Sequence, residues 1–378
     1  MKILFLVSSM QGGGAERVAA LLANAWTARG HGVTLMPTFS ARGECVYPLS
    51  AAVQLDFLSD HCEPAAGRLS RLMMLRRFIR SLGPDVIVSF LPHVNVAAIL
   101  AAMGTRVPVI ACERTYPPLL APPLPRSYRL LRRLTYPFAA ALVAQTQGTA
   151  DWLRRHVPRS QIAIIANPVL LPMTDAEPAV PPSLLADTST RILLWVGRMD
   201  AGKRPELAID AFASLADQYP DWTLVMLGNG QLKSALQASV SARGLEERIY
   251  LPGFAGNLGV WYERADIYIM SSSFEGFPNS LLEAMAHGLA SVAFDVPTGP
   301  AELSHNGQRL LLLPDNDQTA RLSSALRSLM ADAGQRKNLS DRAREVTTTY
   351  SLDRILAQWA ELLAGVTGDQ VRGDQHSS

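Results

Sequence analysis

Short apolar runs of strand length alternate with amphipathic helical patterns along most of the chain. In the first half these runs lie at 3–7, 32–37, 86–90, 107–111, 141–144 and 161–165. In the second half they lie at 191–196, 222–227, 249–251, 267–270, 291–293 and 307–313. Helical periodicity occupies intervals such as 15–29, 205–218, 231–243, 280–287 and 317–333. Buried strands that alternate with helices are typical of parallel sheets covered on both faces, so the pattern predicts an α/β protein.

The strand and helix units fall into two series of similar size, which predicts two doubly wound, Rossmann-like domains. Between them, residues 168–190 contain five prolines and show neither helical nor strand periodicity, as is typical of an interdomain connection. We therefore predict an N-terminal domain at 1–167, a linker at 168–190 and a C-terminal domain at 191–350. A final amphipathic helix is predicted at 351–366, and the polar tail at 367–378 is predicted to be disordered.

Charge is divided unevenly between these regions. The 378 residues carry 35 Lys and Arg against 33 Asp and Glu, a balance that excludes a nucleic-acid coat or an acidic disordered chain. Residues 1–166 contain 18 basic and 8 acidic residues, whereas the remainder contains 17 basic and 25 acidic residues. This asymmetry predicts that the N-terminal domain faces a polyanion or a membrane surface. Because no nucleic-acid-binding motif accompanies the charge, we expect no nucleic-acid partner.

Cysteine usage and apolar run lengths indicate the compartment. Cys45, Cys62 and Cys112 are odd in number and irregularly spaced, which predicts neither a disulfide framework nor a zinc site. The apolar run after Met1-Lys2 is too short for a signal peptide, and no run reaches the ~18 residues that a spanning helix needs. We therefore expect a reducing, cytoplasmic location.

A glycine-rich turn, QGGGAER at 11–17, follows the first predicted strand and opens the first helix. Glycines there let the backbone approach a ligand closely, and a helix N-terminus favours negative charge. A dinucleotide fingerprint would need a third glycine at Arg17 and a carboxylate after the second strand, which ends at Met36-Pro37, so NAD binding is disfavoured. Taken alone, the motif is also compatible with a tight strand–helix turn.

A second motif, GRMDAGK at 197–203, follows the first strand of the second half. Arg198 and Lys203 would lie at the carboxyl end of that strand, where open α/β sheets bind ligands. Two cations at this place suit a diphosphate and could stabilise the charge that develops on a departing group. A solvated loop with ordinary surface charges is the alternative.

The third motif, FEGFPNSLLE at 274–283, joins a loop to a helix. Pro278 ends the loop, and Asn279 or Ser280 can cap the helix, whose first amides can bind phosphate oxygens. Glu275 in the loop and Glu283 one turn inside the helix can accept hydrogen bonds from sugar hydroxyls. Glu283 alone is also compatible with support of its own helix.

Together, these motifs resemble the retaining glycosyltransferases of family 4 over essentially the whole chain. The resemblance is carried by the turn at 13–17, the Gly-Arg-x4-Lys element, the Glu-x7-Glu element and the strings NPV at 167–169 and PTGPAE at 297–302. It is closer to bacterial enzymes that add hexose or N-acetylhexosamine to lipid-linked glycans. The resemblance implies the GT-B fold, in which two Rossmann-like domains face across a cleft and a C-terminal helix returns to the N-terminal domain.

By this resemblance, the C-terminal domain binds a nucleotide sugar. Arg198 and Lys203 would hold its diphosphate, Glu283 the ribose hydroxyls and Glu275 the hydroxyls of the donor sugar, while the loop at 252–257 flanks the base. The backbone that would complete the phosphate cradle belongs to Gly13, Gly14, Gly276, Phe277, Pro278, Asn279 and Ser280. Arg198 and Lys203 would neutralise the diphosphate, so neither a metal nor a cofactor is implied. The donor is a co-substrate, and family frequency favours a UDP-sugar.

Retention of configuration raises the question of which groups surround the reacting carbon. The sequence identifies no carboxylate for a double displacement, and family likeness favours front-face attack, with the leaving phosphate accepting the acceptor's proton. Where many relatives carry a His that faces the donor sugar, this chain has Arg114; either Arg114 or His93 would take that role, or both are structural. The candidate acceptor-binding residues are Glu16, Arg17 and Glu113.

Two basic clusters in the first half are interleaved with bulky apolar residues, one at 68–80 and one at 126–133. Basic amphipathic helices are typical of interfacial membrane binders, at about 1 kcal/mol per basic residue near an anionic leaflet. We therefore expect peripheral association with the inner face of the cell membrane, where a lipid diphosphate acceptor would explain the same charges. A core-packing helix with a solvated arginine face is the alternative.

Other functions stay open at this point. A sugar-nucleotide epimerase on the same architecture would lack the Glu275 and Glu283 pairing, and a phosphorylase would need a recognisable cofactor lysine. A catalytically inactive nucleotide-sugar-binding subunit is a third possibility. The intact Arg198, Lys203 and both carboxylates argue against it, whereas Arg114 keeps it open.

Overall fold

The computed structural model describes residues 1–39, 43, 45–63, 66–119, 125–185, 187 and 189–368. The chain forms two compact units. One consists of Met1–Pro168 together with the chain from Leu352 onward, and the other consists of Val169–Ser351. Most of the predicted disordered tail, from 369, lies outside the described residues.

Each unit is built on one parallel sheet. The strands of the first unit are β1 (Lys2–Val7), β2 (Gly32–Pro37), β3 (Gln54–Leu55), β4 (Val86–Phe90), β5 (Val109–Cys112), β6 (Ala141–Ala144) and β7 (Ile162–Ile164). Those of the second are β8 (Arg191–Val196), β9 (Trp222–Leu227), β10 (Ile249–Gly253), β11 (Ile267–Met270), β12 (Ala290–Asp295) and β13 (Leu311–Pro314). The strand orders are β3-β2-β1-β4-β5-β6-β7 and β10-β9-β8-β11-β12-β13.

Helices connect the strands. In the first unit they are α1 (Gly14–Ala28), α2 (Arg68–Leu82), α3 (Pro92–Ala102), α4 (Arg126–Thr135) and α5 (Gln147–His156). In the second they are α6 (Pro205–Ala213), α7 (Lys233–Ser241), α8 (Leu258–Arg264), α9 (Asn279–Ala286), α10 (Pro300–Ser304), α11 (Gln318–Ala331), α12 (Ala333–Ala343) and α13 (Val346–Thr349). The C-terminal helix α14 (Leu352–Thr367) belongs to the first unit.

The first sheet is covered on both faces because alternate strand residues point to opposite sides. Phe5 packs with α1 and α14 on one face, where the Trp26 and Trp359 rings meet edge to face at 5.5 Å. Leu4 and Leu6 pack with α2, α3 and α5 on the other face. Because Trp359 is fully buried in this core, the final helix completes the first unit.

The second sheet has one extensive core, in which Trp195, Trp222, Phe212 and Phe294 are fully buried. In both sheets the order of the strands reverses at one place, between β1 and β4 in the first and between β8 and β11 in the second. Open α/β sheets bind ligands outside the carboxyl ends of the strands at such switch points. The fold therefore singles out two positions, one in each unit.

The predicted α/β class with two Rossmann-like domains is confirmed. Six strands have the predicted bounds, whereas the last was predicted at 307–313 and is observed at Leu311–Pro314. Its predicted start fails because His305, Asn306 and Gly307 have positive φ and form a turn. The short β3 and the polar helix α12 were not predicted, since neither shows a strong hydrophobic period.

The segment predicted as a linker packs largely on the second unit. The Val169 amide donates to the Tyr350 carbonyl at 2.9 Å, and the Ala176 amide donates to the Gly256 carbonyl at 3.1 Å. The Trp261 indole donates to the Val180 carbonyl at 2.7 Å. Prolines prevent a regular period here but leave carbonyls that neighbouring donors can reach.

No helix in the described ranges is long and apolar enough to cross a membrane.

Candidate functional site

The switch point of the second sheet brings two predicted site residues into contact. Lys203 lies in the loop after β8 and Glu275 in the loop after β11, and Lys203 Nζ is 2.6 Å from Glu275 Oε1. The side chains are 26% and 9% exposed, so the pair is partly shielded from water. Thr298 Oγ1 donates to the backbone carbonyl of Glu275 and fixes the loop from the other side. A cation and a carboxylate thus meet where the fold favours ligand binding.

Arg198 is the most exposed member of this group. Its side chain is 76% exposed, and Nε lies 2.9 Å from Asp200 Oδ2. The backbone around it is tightly packed, because a Cβ atom on Gly228 would lie 1.9 Å from the Gly197 carbonyl oxygen, and one on Gly230 would lie 2.3 Å from that of Met199. The loop backbone is therefore fixed while the guanidinium stays accessible to a ligand.

Helix α9 supplies the second carboxylate. Glu283 is buried, and its Oε2 accepts a hydrogen bond from the Tyr262 hydroxyl at 3.1 Å. The Tyr268 hydroxyl donates to Ser280 Oγ at 2.8 Å in the first turn. The helix begins at Asn279 with Pro278 at its N-cap position, so the predicted cap by Asn279 or Ser280 is wrong. Its first amides and the Glu283 carboxylate therefore belong to one rigid element.

The remaining predicted members of the phosphate cradle have structural contacts. Phe277 is buried with its ring 5.7 Å from that of Tyr350. Pro278 packs against Gly299, whose φ of 99° and lack of a Cβ atom allow the approach, since a Cβ there would lie 2.6 Å from the proline Cδ. Gly276, between Glu275 and Phe277, is half-buried. The string PTGPAE thus supports the loop that carries Glu275.

In the first unit, the backbone of the glycine-rich turn is hydrogen-bonded by Glu16 of the turn and by the more distant Tyr47. Glu16 accepts hydrogen bonds from the Ser9 hydroxyl and, at 3.1 Å, from the Gly12 amide. The Gly13 amide donates to the Tyr47 hydroxyl at 3.0 Å. Gly14 is exposed as the first residue of α1, and the half-buried Arg17 donates its amide to the Gly13 carbonyl. The predicted acceptor ligand Glu16 therefore stabilises the turn.

His93 lies at the switch point of the first sheet, in the first turn of α3. Its Nε2 is 3.0 Å from Ser8 Oγ, which follows β1, and its ring meets Phe39 edge to face at 4.5 Å. Burial lowers the pKa of His93, so the neutral imidazole predominates at pH 7. Leu91, just before the helix, has a φ of 81°, a strained conformation that places His93 at the sheet edge.

Glu113 and Arg114 are buried after β5. The Glu113 carboxylate accepts from the Tyr136 hydroxyl at 2.6 Å and lies 3.6 Å from an Arg132 nitrogen. Burial raises the pKa of Glu113, although Arg132 and the Tyr136 hydroxyl oppose the shift. With its side chain fully inaccessible, Glu113 anchors α4 in this structure and does not present a carboxylate to an acceptor.

Arg114 has a similarly enclosed position. Its guanidinium lies 4.0 Å from the centroid of the Phe90 ring and donates to Asn167 Oδ1 at 2.6 Å. Burial lowers the pKa of Arg114 to about 10, so it stays charged at pH 7. Asn167 also accepts from Gln145 at 2.6 Å, which gives the NPV string a structural role in the first unit.

Several residues that contact the site lie outside the motifs from which the site was predicted. Tyr262 precedes Glu283 by 21 residues, and no local pattern connects them. Arg204 adjoins Lys203 and donates to the carbonyls of Ser271 and Ser272, and the serine run at 271–273 shows no recognisable motif. Asp315 and Asp317 also form an Asp-x-Asp string. Asp315 pairs with Arg204, and the described residues contain no group of three or more His, Cys, Asp or Glu placed to hold a metal.

Comparisons with known proteins agree with this architecture. The family described as "Glycosyltransferase Family 4" matches residues 12–171, and "Glycosyl transferases group 1" matches residues 177–346. An α-1,4-N-acetyl-D-galactosaminyltransferase of Campylobacter jejuni, named for a diphospho-undecaprenol-linked glycan, is 28% identical over 375 residues, which cover 97% of this chain and 99% of the relative.

Solved structures show the same fold. Sucrose-phosphate synthase from Thermosynechococcus elongatus superimposes with a TM-score of 0.81 at 18% identity, covering 98% of this chain and 100% of the other. HepE from Anabaena, in complex with UDP and glucose, gives a TM-score of 0.76 at 19% identity over 97% and 100% of the two chains. Both units thus match glycosyltransferase families in sequence and GT-B proteins in structure. The chain belongs to the glycosyltransferases of GT-B fold and resembles transferases of lipid-linked glycans.

Proposed function

We propose that the protein is a retaining transferase that moves a hexose or N-acetylhexosamine from a UDP-sugar to a lipid-linked glycan during surface polysaccharide or glycoconjugate assembly. The observation that carries the proposal is the pairing of Lys203 with Glu275 at the switch point of the second sheet. Arg198 stays accessible beside them, and Glu283 lies one turn inside the helix that follows. A nucleotide sugar offers a diphosphate to the cations and hydroxyls to the carboxylates.

The donor and acceptor are supported by relatives. HepE binds UDP and glucose on a similar fold, which favours a UDP-sugar as donor. The Campylobacter relative is named for a glycan on diphospho-undecaprenol, which favours an acceptor of that class. In this proposal the second unit binds the donor, with Lys203 and Arg198 on the diphosphate, Glu283 on the ribose and Glu275 on the sugar.

In the proposed reaction, an acceptor hydroxyl forms a bond to the anomeric carbon on the face that the diphosphate leaves. The bond from this carbon to the phosphate oxygen breaks, and that oxygen receives the proton of the acceptor hydroxyl. Lys203 and Arg198 stabilise the negative charge of the departing UDP. One such contact typically lowers a barrier by about 2.7–4 kcal/mol. We propose that these cations make a divalent metal dispensable.

The proposed membrane contact is made by α4. Three arginines on this helix, Arg126, Arg129 and Arg133, are exposed. The residue that follows each of them along the chain is also exposed. Leu130 and Leu134 of the same helix are 57% and 56% exposed, and Phe138, three residues after its end, is 64% exposed. Apolar residues beside arginines suit the headgroup region of an anionic bilayer on the inner face of the cell membrane.

Liposome flotation tests this contact. We expect the wild-type protein to float with vesicles that contain anionic lipid and a Leu130→Ser, Leu134→Ser variant to remain largely in solution. Leu184→Ser in the second unit removes a leucine that is more exposed than either of these, at 71%, and should float as the wild type does. Flotation of both variants to the wild-type extent would refute the role of α4.

The transfer reaction is tested by screening sugar nucleotides against extracted lipid-linked glycans, with product mass and anomeric configuration as readouts. A mass increase of one sugar in the α-configuration supports the proposal, and EDTA should leave the rate unchanged. Nucleotide binding without nucleotide release would instead identify an inactive binding subunit. Release of free UDP without a glycan product would refute the proposed acceptor.

A further inference from the structure

We infer that Arg204 is a positioning residue for the transfer reaction, because it fixes the loop of Lys203 against the loop of Glu275. This inference rests on the proposed function of those two residues. Arg204 follows Lys203 directly, and its guanidinium contacts the backbone after β11 and the Asp315 carboxylate. In this role, Arg204 sets the distance between the loop that carries Lys203 and the loop that carries Glu275.

The guanidinium of Arg204 joins the carboxyl ends of two strands. Nε donates to the Ser271 carbonyl at 2.8 Å, and Nη2 donates to the Ser272 carbonyl at 2.7 Å, just after β11. Nη2 is also 2.8 Å from an oxygen of Asp315, just after β13. The guanidinium carbon lies 5.1 Å from the centroid of Phe294, which belongs to the intervening strand β12. With its side chain 12% exposed, the group acts as a shielded clamp.

The backbone shows the same connection. The Ser271 hydroxyl donates to the Lys203 carbonyl at 2.8 Å. The amide and hydroxyl of Ser273 donate to the Gly202 carbonyl at 2.9 Å and 3.0 Å. Three consecutive residues after β8 therefore bind three consecutive serines after β11, and Glu275 follows only two residues later.

Arg204 also has a φ of 47°, in the left-handed region that residues with a side chain rarely adopt. Such a conformation persists only where surrounding contacts determine it. The contacts of the guanidinium supply that constraint at the N-cap position, directly before α6. Because displacement of a reacting group by about 1 Å can lower a rate by about 10²-fold, loosening this clamp should impair turnover.

Arg248 provides a matched control in the same unit. Its guanidinium donates to the carbonyls of Trp222 at 2.9 Å and Tyr219 at 2.7 Å, and it lies 5.7 Å from the Phe212 ring. It therefore clamps carbonyls and contacts a ring as Arg204 does, but beside the first residues of β9 and β10. A variant at this position reports the general effect of losing a partly buried arginine that binds backbone carbonyls.

The experiment measures kcat and donor KM, the affinity for UDP by calorimetry, and the melting temperature. Both variants are assayed below their melting temperatures. We expect Arg204→Met to lower kcat/KM by about 10- to 100-fold. The kcat/KM of Arg248→Met should stay within about twofold of the wild-type value. If the two variants lose kcat/KM equally, Arg204 has only a structural role and the inference is wrong. If Arg204→Met does not fold, Arg204→Lys, which keeps the charge but loses the second carbonyl bond, should show a smaller loss in the same direction.

A double substitution tests whether Arg204 acts through Lys203. In a Lys203→Ala background, Arg204→Met should add less than about threefold to the loss, because interacting residues are not additive. Full additivity would overturn the inference. If the wild type binds no UDP, the proposed function fails and the inference with it. If the wild type binds UDP and transfers sugar, and Arg204→Met does both equally well, the inference alone fails.

Discussion

Replacement of Lys203 by alanine tests the proposed site most directly. The substitution removes the ammonium group that lies 2.6 Å from Glu275 and, in the proposed complex, contacts the diphosphate. It leaves the loop backbone intact, because the Lys203 carbonyl and the Gly202 carbonyl keep their serine donors. The effect on turnover and the effect on stability can therefore be predicted separately.

The structure sets the size of both effects. A hydrogen bond between charged groups contributes about 1.5–3 kcal/mol, and the 9% exposed Glu275 would lose its cation, so we expect the free energy of unfolding to fall by about that amount. Loss of one contact to the developing phosphate charge should raise the barrier by about 2.7–4 kcal/mol. This corresponds to a decrease in kcat of about 10²- to 10³-fold. The smallest decrease that agrees with the assignment is about tenfold.

The assay measures UDP release and glycan product at saturating donor, alongside urea denaturation. Lys337→Ala is the matched control, since its side chain is 77% exposed and pairs with Asp341 only at the surface. This control should change the free energy of unfolding by less than about 1 kcal/mol and leave kcat unchanged. An unchanged kcat in folded Lys203→Ala would refute the assignment of Lys203 to the diphosphate.

Three further outcomes are expected. Burial lowers the pKa of His93, so the unfolded chain binds a proton more readily than the folded protein does. Stability should therefore fall as pH drops below about 6.5. Thermal melts from pH 8 to 5 should show a smaller pH dependence in His93→Asn than in the wild type. Tyr136→Phe removes the donor to Glu113 and should lower the free energy of unfolding by about 1–3 kcal/mol in urea, and no change would contradict the buried network. Gly228→Ala places a Cβ 1.9 Å from a carbonyl oxygen and should destabilise by about 2–4 kcal/mol, whereas Gly365→Ala in α14 meets open space and should be neutral or stabilising.

The sequence was sufficient for the architecture of each unit. Continuous apolar runs separated by helical periods predicted the parallel sheets, and strands such as Trp222–Leu227 have the predicted bounds because burial on both faces leaves a clear pattern. The position of its motif after a strand also predicted that Lys203 lies at the carboxyl edge of the second sheet. Both predictions concern the burial of a segment and its place directly after a strand, which are determined by residues close together in the sequence.

Which residues meet at that edge was decided by tertiary structure. Lys203 and Glu275 are 72 residues apart, and they touch because β8 and β11 are neighbours in the sheet, an order that no local pattern specifies. The same order brings Arg204 to the serine run. Burial likewise turned Glu113 and Arg114 from candidate ligands into partners of Arg132, Tyr136 and Asn167. Hydrophobic periodicity records which faces are covered, but the pairing of strands and the enclosure of charged side chains depend on contacts between distant segments.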